Sequence, residues 1–211
     1  VYFDTAKLPE YGAFAKLDVA GLEAGKRVEA GEKRNKTDFA LWKFSDKAKG
    51  DRLMEWESPW GTGFPGWHIE CSAMSVKYLG ERFDIHTGGV DHIPVHHTNE
   101  RAQNVGAFGH PVVKYWLHNE WVVSKEGEKM SKSKENFLTL DALIDKGFSP
   151  LAYRYFLLSA HYRKPVEWSF EALRGAENAL RNLYDRVRNL DGRKSIRLKR
   201  HPKMLSYEKD F

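Results

Sequence analysis

Gly66-Trp67-His68-Ile69-Glu70-Cys71, then Phe83-Asp84-Ile85-His86-Thr87-Gly88-Gly89-Val90-Asp91, then His96-His97-Thr98-Asn99-Glu100 form the run on which the reading of this chain turns. From Trp67 to Leu79 the pattern suits a helix with Cys71 near its start. Phe83 to His86 reads as a strand ending in a glycine turn, and Pro94 opens a helix through about Val105. Glycine at positions 88 and 89 lets backbone approach a nucleotide at the C-terminal edge of a parallel sheet. Residues four apart share one helix face, so His96 and Glu100 act as a pair, while Cys71, the single cysteine, arrives from a separate segment. A thiol, an imidazole and a carboxylate suit one zinc ion, and three protein ligands leave the fourth position open for a substrate atom.

Composition bounds the rest. With 34 Lys and Arg against 29 Asp and Glu, the net charge of +5 permits an anionic partner without demanding one. One cysteine excludes an internal disulfide framework and fits a reducing compartment. No apolar run approaches the roughly 20 residues of a membrane helix, and no signal peptide is evident. The expectation is a soluble, cytoplasmic protein. The chain begins at Val1 inside what reads as structured sequence, so a fragment is expected.

Outward from the central run, Val1 to Asp4 is strand-like, residues 22 to 37 read as a charged, solvated loop, and Trp56 to Pro65 is rich in Trp, Pro and Gly. Val112 to Trp116 and Glu120 to Val123 read as strands, and Lys125 to Glu135 as a polar loop. Thr139 caps a short helix from Leu140 to Lys146, and Ser149-Pro150 starts a helix running to about Tyr162. Ser169 caps another, whose Phe170, Leu173, Ala176, Leu180, Leu183, Tyr184, Val187 and Leu190 form a packing stripe at helical spacing. Beyond Gly192 the sequence is basic with little periodicity.

Pro65 to Met74, Asp84 to Asp91, His96 to Glu100 and Lys129-Met130-Ser131-Lys132-Ser133 stand in an order and at a spacing that resemble cysteinyl-tRNA synthetase, a class I aminoacyl-tRNA synthetase. The likeness extends from Asp38-Phe39-Ala40-Leu41-Trp42-Lys43 to the helix near Leu190. It implies an α/β fold: the second half of a Rossmann-like nucleotide-binding domain, then a helical stem-contact region and the start of a helical bundle. In those terms residues 1–60 connect the two halves of the catalytic domain, 61–147 form its second half, 148–168 a stem-contact helix, and 169–211 the first part of a tRNA-binding domain with a basic tail.

The resemblance also implies roles. Cys71, His96 and Glu100 hold Zn2+, and the substrate cysteine's sulfur binds to it. A soft ion separates thiol from hydroxyl where a pocket of fixed size does so poorly. Lys132, with Lys129, Ser131 and Ser133, closes over ATP and its Mg2+ and meets charge on the departing pyrophosphate. Gly88, Gly89, Asp91 and His86 belong to the adenylate pocket, Asp91 contacting either the ribose or the substrate amine. Trp67 and His68 line the cysteine pocket, and His97 either orients a ligand or faces solvent. Arg154, Arg163 and Lys164, with His161, lie where the family contacts tRNA.

Departures from the family pattern shape the expectation. An earlier segment with a His-Ile-Gly-His motif and a further zinc-binding cysteine is absent from this sequence, as is the anticodon-binding region. Ile93-Pro94-Val95 shifts the proline of the usual Met-Phe-Pro approach, and Lys134-Glu135-Asn136 replaces Leu-Gly-Asn after the lysine loop. The expected activity is cysteine-tRNA ligation, by a piece inactive without its N-terminal half. Two alternatives stand beside it: a mycothiol-type ligase joining activated cysteine to a sugar amine, and a non-catalytic zinc- and RNA-binding fragment.

Overall fold

A computed structural model of the chain describes residues 1–17, 33–46, 53–124 and 139–191. Two compact units emerge, Val1–Glu120 and Trp121–Phe211. The Lys129–Ser133 motif, the Lys125–Glu135 loop, the basic tail and most of the charged 22–37 stretch lie outside the described residues.

In the first unit, β1 (Tyr2–Phe3) pairs antiparallel with β2 (Phe39–Ala40), and β3 (Trp42–Phe44) with β4 (Gly63–Pro65). The short β1–β2 pair is anchored by Asp38, which is buried beside it. Its Oδ1 accepts from the Thr5 amide (3.0 Å) and hydroxyl (2.9 Å), and its Oδ2 from the Asn35 amide (2.9 Å). Helix α1 (Trp67–Leu79) follows β4 directly, and its first residue is positioned by Gly66, where any Cβ would fall 2.1 Å from the Ala40 carbonyl oxygen. The chain then forms β5 (Phe83–Gly89), a 3-10 turn at Val90–His92, a π turn at Ile93–His97, α2 (Thr98–Phe108) and β6 (Val113–Asn119). Strands β5 and β6 pair in parallel, which α2 makes possible by carrying the chain back between them. This is the α/β core that the motifs implied.

Two boundaries differ from the sequence reading for physical reasons. The strand at Phe83 does not stop at His86: Thr87, Gly88 and Gly89 continue the ladder opposite Leu117, His118 and Asn119. Pro94 does not open a regular helix either. It sits in a π turn, the wide geometry suited to a proline that lacks an amide proton, and the Thr98 hydroxyl donates to the Ile93 carbonyl at 2.7 Å. The effect is to place His96 and His97 on buried backbone just ahead of α2.

Helix α2 buries an unusual face: Thr98, Asn99, Glu100, Gln103 and Asn104 are all interior. Such a helix needs a partner for each polar group. Asn99 Oδ1 accepts from the Tyr11 hydroxyl at 2.7 Å. With its amide turned so that every contact is satisfied, Gln103 donates to Ser72 Oγ (2.8 Å) and the His68 carbonyl (2.9 Å), and its oxygen accepts from the Ile69 amide (3.2 Å). Gln103 therefore serves the first turn of α1, whose cap residue Gly66 has no side chain to do so.

The second unit contains β7 (Val122–Val123), α3 (Leu140–Asp145), α4 (Pro150–Leu158), β8 (Val166–Glu167) and α5 (Phe170–Asp191). β7 and β8 pair in parallel. Its core is Leu143, Phe148, Ala152, Phe156 and Leu173, flanked by Tyr153, Trp168 and Ala176. Thr139, Ser149 and Ser169 accept backbone amides at the starts of α3, α4 and α5, the capping roles their sequence positions suggest. Helix α4 ends at Leu158 rather than near Tyr162, with the Ser159 hydroxyl closing onto the Phe156 carbonyl at 2.6 Å. The α5 stripe packs only at its start: Leu173 and Ala176 meet the core, whereas Leu183, Tyr184, Val187 and Leu190 are exposed. Among the described residues no helix is long and apolar enough to cross a membrane.

Candidate metal centre

Three elements of the first unit converge on one point. Cys71 comes from the second turn of α1, His96 from the π turn and Glu100 from the first turn of α2. One donor atom from each lies within 4.8 Å of the other two. His96 and Glu100 are buried, and Cys71 is half-buried.

The contact inside this group is informative. His96 Nε2 approaches Glu100 Oε1 to 2.7 Å, an ion-pair distance, yet Oε1 is buried with no hydrogen-bond partner, because the approach lacks hydrogen-bond direction. Nor is it a charge pair: burial pushes the His96 pKa down, helped by His92 and His86, and this outweighs the upward pull of Glu100. The other ring nitrogen, Nδ1, lies 2.8 Å from His68 Nδ1, so one of the two carries the shared proton. When His96 donates, its Nε2 lone pair faces the Glu100 oxygen. Two lone pairs held that close are satisfied by a cation between them and by little else. Soft sulfur, imidazole nitrogen and carboxylate oxygen are the donors zinc takes, so the residues fit that ion. The Cys71 thiol is pushed above its usual range by burial, then by Glu100 and Glu70, so without a cation it keeps its proton.

A ring of aromatic and imidazole groups surrounds the three donors. Trp67 lies 4.7 Å from the His96 ring and is 62% exposed, so it is not core. His68 is held neutral, its pKa lowered to about 4 by burial, then by His96 and Lys43. His97 does not face solvent: it is 1% exposed, its Nδ1 lies 2.8 Å from His118 Nε2, and burial with four neighbouring histidines lowers its pKa to about 3. His86 places Nε2 at 2.9 Å from Glu100 Oε2. Gly88 is the point of closest backbone approach, and what approaches it is imidazole: a Cβ there would sit 2.5 Å from His97 Cε1 and 2.6 Å from His92 Nδ1.

Asp91 is exposed in the 3-10 turn beyond β5. In the other unit, Arg154 is exposed on α4, and Arg163 and Lys164 are exposed in the turn after it, Arg163 lying over the Tyr162 ring at 5.4 Å. Ser131, Lys129, Lys132 and Ser133 lie outside the described residues.

His118, Trp116 and Gln103 escaped the sequence reading. A signal for the first pair existed, since alternate residues of a strand share a face and Trp116 and His118 are two apart in β6. Nothing local marks Gln103, whose role comes only from the packing of α2 on α1.

A parallel strand pair joined through a helix, with donor side chains gathered beside it, is the architecture of an α/β domain. Residues 1–178 match the family described as tRNA synthetases class I (C) catalytic domain, and the chain belongs to that family. It is 56% identical over 183 residues to Cysteine-tRNA ligase 1 of Burkholderia lata, a match covering 87% of this chain and 39% of that protein. It is 53% identical over 194 residues to the cysteine-tRNA ligase of Treponema denticola, covering 91% of this chain and 39% of the relative. The cysteine-tRNA ligase of Thermococcus gammatolerans is 51% identical over 191 residues, with 90% and 39% covered. The chain thus spans about two-fifths of the length of these curated relatives. Among solved structures, a ternary complex of LeuRS, tRNA and LeuAMS from Agrobacterium radiobacter K84 superposes with a TM-score of 0.50 at 17% identity, over 67% of this chain and 22% of that one, a likeness of fold.

Proposed function

We propose that this chain is part of a cysteine-tRNA ligase and contributes the part of its active site that selects the amino acid by its sulfur. The observation that carries the proposal is the convergence of Cys71, His96 and Glu100, with Glu100 Oε1 buried and lacking a hydrogen-bond partner. These residues would hold Zn2+, and the bound ion would supply a soft Lewis acid that prefers a thiolate to the hydroxyl of serine or the methyl of alanine. His68 orients His96 through the shared proton, and Trp67 would line the cysteine pocket. The names of the relatives, all cysteine-tRNA ligases, favour tRNA over a sugar amine as acceptor.

The proposed reaction has two steps. A carboxylate oxygen of cysteine attacks the α-phosphorus of ATP, the bond to the bridging oxygen breaks, and pyrophosphate leaves with the electron pair. A terminal ribose hydroxyl of tRNA-Cys then attacks the carbonyl carbon, and AMP departs. Lys132 would stabilise charge on pyrophosphate, with Lys129, Ser131 and Ser133 completing its loop and Mg2+ accompanying ATP. Gly88, Gly89 and Asp91 would border the nucleotide, and Arg154, Arg163 and Lys164 would meet tRNA phosphates. The work would take place in the reducing cytoplasm, where Cys71 stays a thiol.

Further polypeptide would complete the site. A parallel strand pair is normally covered on both faces, yet the cross-strand neighbours Ile85 and Tyr115 are 57% and 55% exposed. The test is cysteine-dependent exchange of pyrophosphate into ATP, measured for the chain alone and with the preceding half of a cysteine-tRNA ligase added. Exchange should appear only in the second case. There, Cys71→Ser should abolish zinc content and selection against serine, and Lys132→Ala should slow exchange by about 100-fold, the scale of losing one transition-state contact. Exchange that is independent of cysteine, or a Cys71→Ser protein with unchanged zinc, would overturn the proposal.

A further inference from the structure

We infer that His86 is a positioning residue for the metal-binding carboxylate: it holds Glu100 Oε2, so that Glu100 offers a metal ion one oxygen instead of two. The inference rests on the zinc reading of Cys71, His96 and Glu100 and adds what decides the number of places that reading leaves open.

The two oxygens of Glu100 face different partners. Oε2 lies 2.9 Å from His86 Nε2, while Oε1 lies 2.7 Å from His96 Nε2 and has no hydrogen-bond partner. Glu100 is 2% exposed, so water does not compete for either oxygen. A carboxylate with both oxygens free readily binds a small cation through both. That would fill the position an incoming sulfur needs, because zinc seldom takes more than four or five donors. An N–H of His86 turned to Oε2 would remove that option.

His86 is itself fixed in a way that suits the task. It sits in β5 directly opposite Trp116 of β6, whose ring meets it edge to face at 4.9 Å and 86°. On another side lies His97, 4.8 Å away, which is locked by His118 and by the missing Cβ of Gly88. The sheet therefore aims the imidazole, and the helix supplies the carboxylate. Sequence resemblance places His86 in the adenylate pocket, and the structure sets its Nε2 at 2.9 Å from Glu100 Oε2.

His86, His97 and Glu100 also offer donor atoms within 4.8 Å of one another, so the same residues allow a rival arrangement, a second cation site sharing Glu100. The positioning role needs only the approach already present, His86 Nε2 at 2.9 Å from Oε2, whereas a second cation would have to enter between them.

Cobalt(II) and zinc binding to the metal-stripped chain test the inference. Three proteins are compared: the unaltered chain, His86→Phe, which keeps a ring against Trp116 but loses the donor, and His86→Gln, which keeps an N–H. The unaltered chain should bind one ion, show a thiolate-to-cobalt charge-transfer band, and give one carboxylate oxygen in the zinc X-ray absorption spectrum. His86→Phe should bind about 10- to 100-fold more weakly and gain a second oxygen neighbour. His86→Gln should restore the single oxygen and most of the affinity. A purely structural role would not change the oxygen count. Unchanged affinity and coordination in His86→Phe would overturn the inference, as would two ions per unaltered chain with one lost in His86→Phe. No thiolate band in the unaltered chain would instead refute the zinc reading itself, and the inference with it. Should His86→Phe not fold, a His86→Gln protein with two carboxylate oxygens would overturn the inference and one with a single oxygen would support it.

Discussion

Gly88 shows how much of the candidate site depends on a missing atom. Glycine in a turn suggests backbone meeting a ligand, but the groups pressed against Gly88 are the rings of His97 and His92. Those rings are stiff, and His97 is 1% exposed, so an added methyl has nowhere to go. Gly88→Ala should therefore cost about 1–3 kcal/mol, the range for overpacking a filled interior. It should also shift His97 away from His118, so that the imidazole signals of both residues move in NMR spectra. A methyl accepted with no change in urea midpoint or imidazole shifts would show that the ring cluster is looser than it stands here. The grouping of Cys71, His96 and Glu100 was legible in sequence because it is carried by residue type: a lone thiol and an imidazole four residues before a carboxylate. His68 and His86 were legible as residues near the site but not their contacts with His96 and Glu100, and His118 was not legible at all, because these meet only when α1, β5 and β6 are brought together.

At the scale of elements, legibility followed local chemistry. Helices α3, α4 and α5 start where Thr139, Ser149 and Ser169 accept an amide, and a hydroxyl before an apolar run is readable without a structure. Helix α2 was harder, since its buried face is polar and hydrophobic periodicity does not mark it. The α5 stripe misled in the opposite sense, apolar throughout but packed only over its first turns. One contact there was invisible to any pattern. Glu177 of α5 is buried, accepts the Ser149 amide at 3.2 Å through Oε1 and Arg174 Nη1 at 3.1 Å through Oε2, while the Arg174 guanidinium covers Phe148 at 4.2 Å. The glutamate thus serves the start of α4 from a neighbouring helix. Glu177→Ala leaves the Ser149 amide without that acceptor, a loss of about 1–3 kcal/mol. The effect should be local: amide exchange in the first turn of α4 should accelerate by about 10- to 100-fold, which is that free energy expressed as an opening equilibrium. Glu177→Gln keeps an acceptor oxygen and should lose less. Equal exchange in all three proteins would remove Glu177 from the account.

For the molecule as a whole, Asp38 joins parts of the chain that are distant in sequence. Its carboxylate accepts from Thr5, 33 residues away, and from Asn35, and so holds the N-terminal segment against β2. Burial alone would raise its pKa, but the hydrogen bonds from Thr5 and Asn35 outweigh burial and leave it below the ordinary 3.8. The sign follows from proton counting. Just below pH 3.8 the unfolded chain takes up the Asp38 proton while the folded chain does not, so this contribution to stability is complete above 3.8 and is lost as pH falls through the lower folded value. Asp38→Asn cannot titrate. Its Oδ1 still accepts from Thr5, but its NH2 meets the Asn35 amide where Oδ2 stood, donor against donor, at a cost of about 1–3 kcal/mol at neutral pH. The variant should thus melt lower than the unaltered chain at pH 7, and the gap should narrow as pH falls below the ordinary 3.8 and the unaltered chain loses what the variant never had. Thermal melts at closely spaced pH values measure both slopes, and parallel curves across the acid range would show that Asp38 is not held in its charged form by this network.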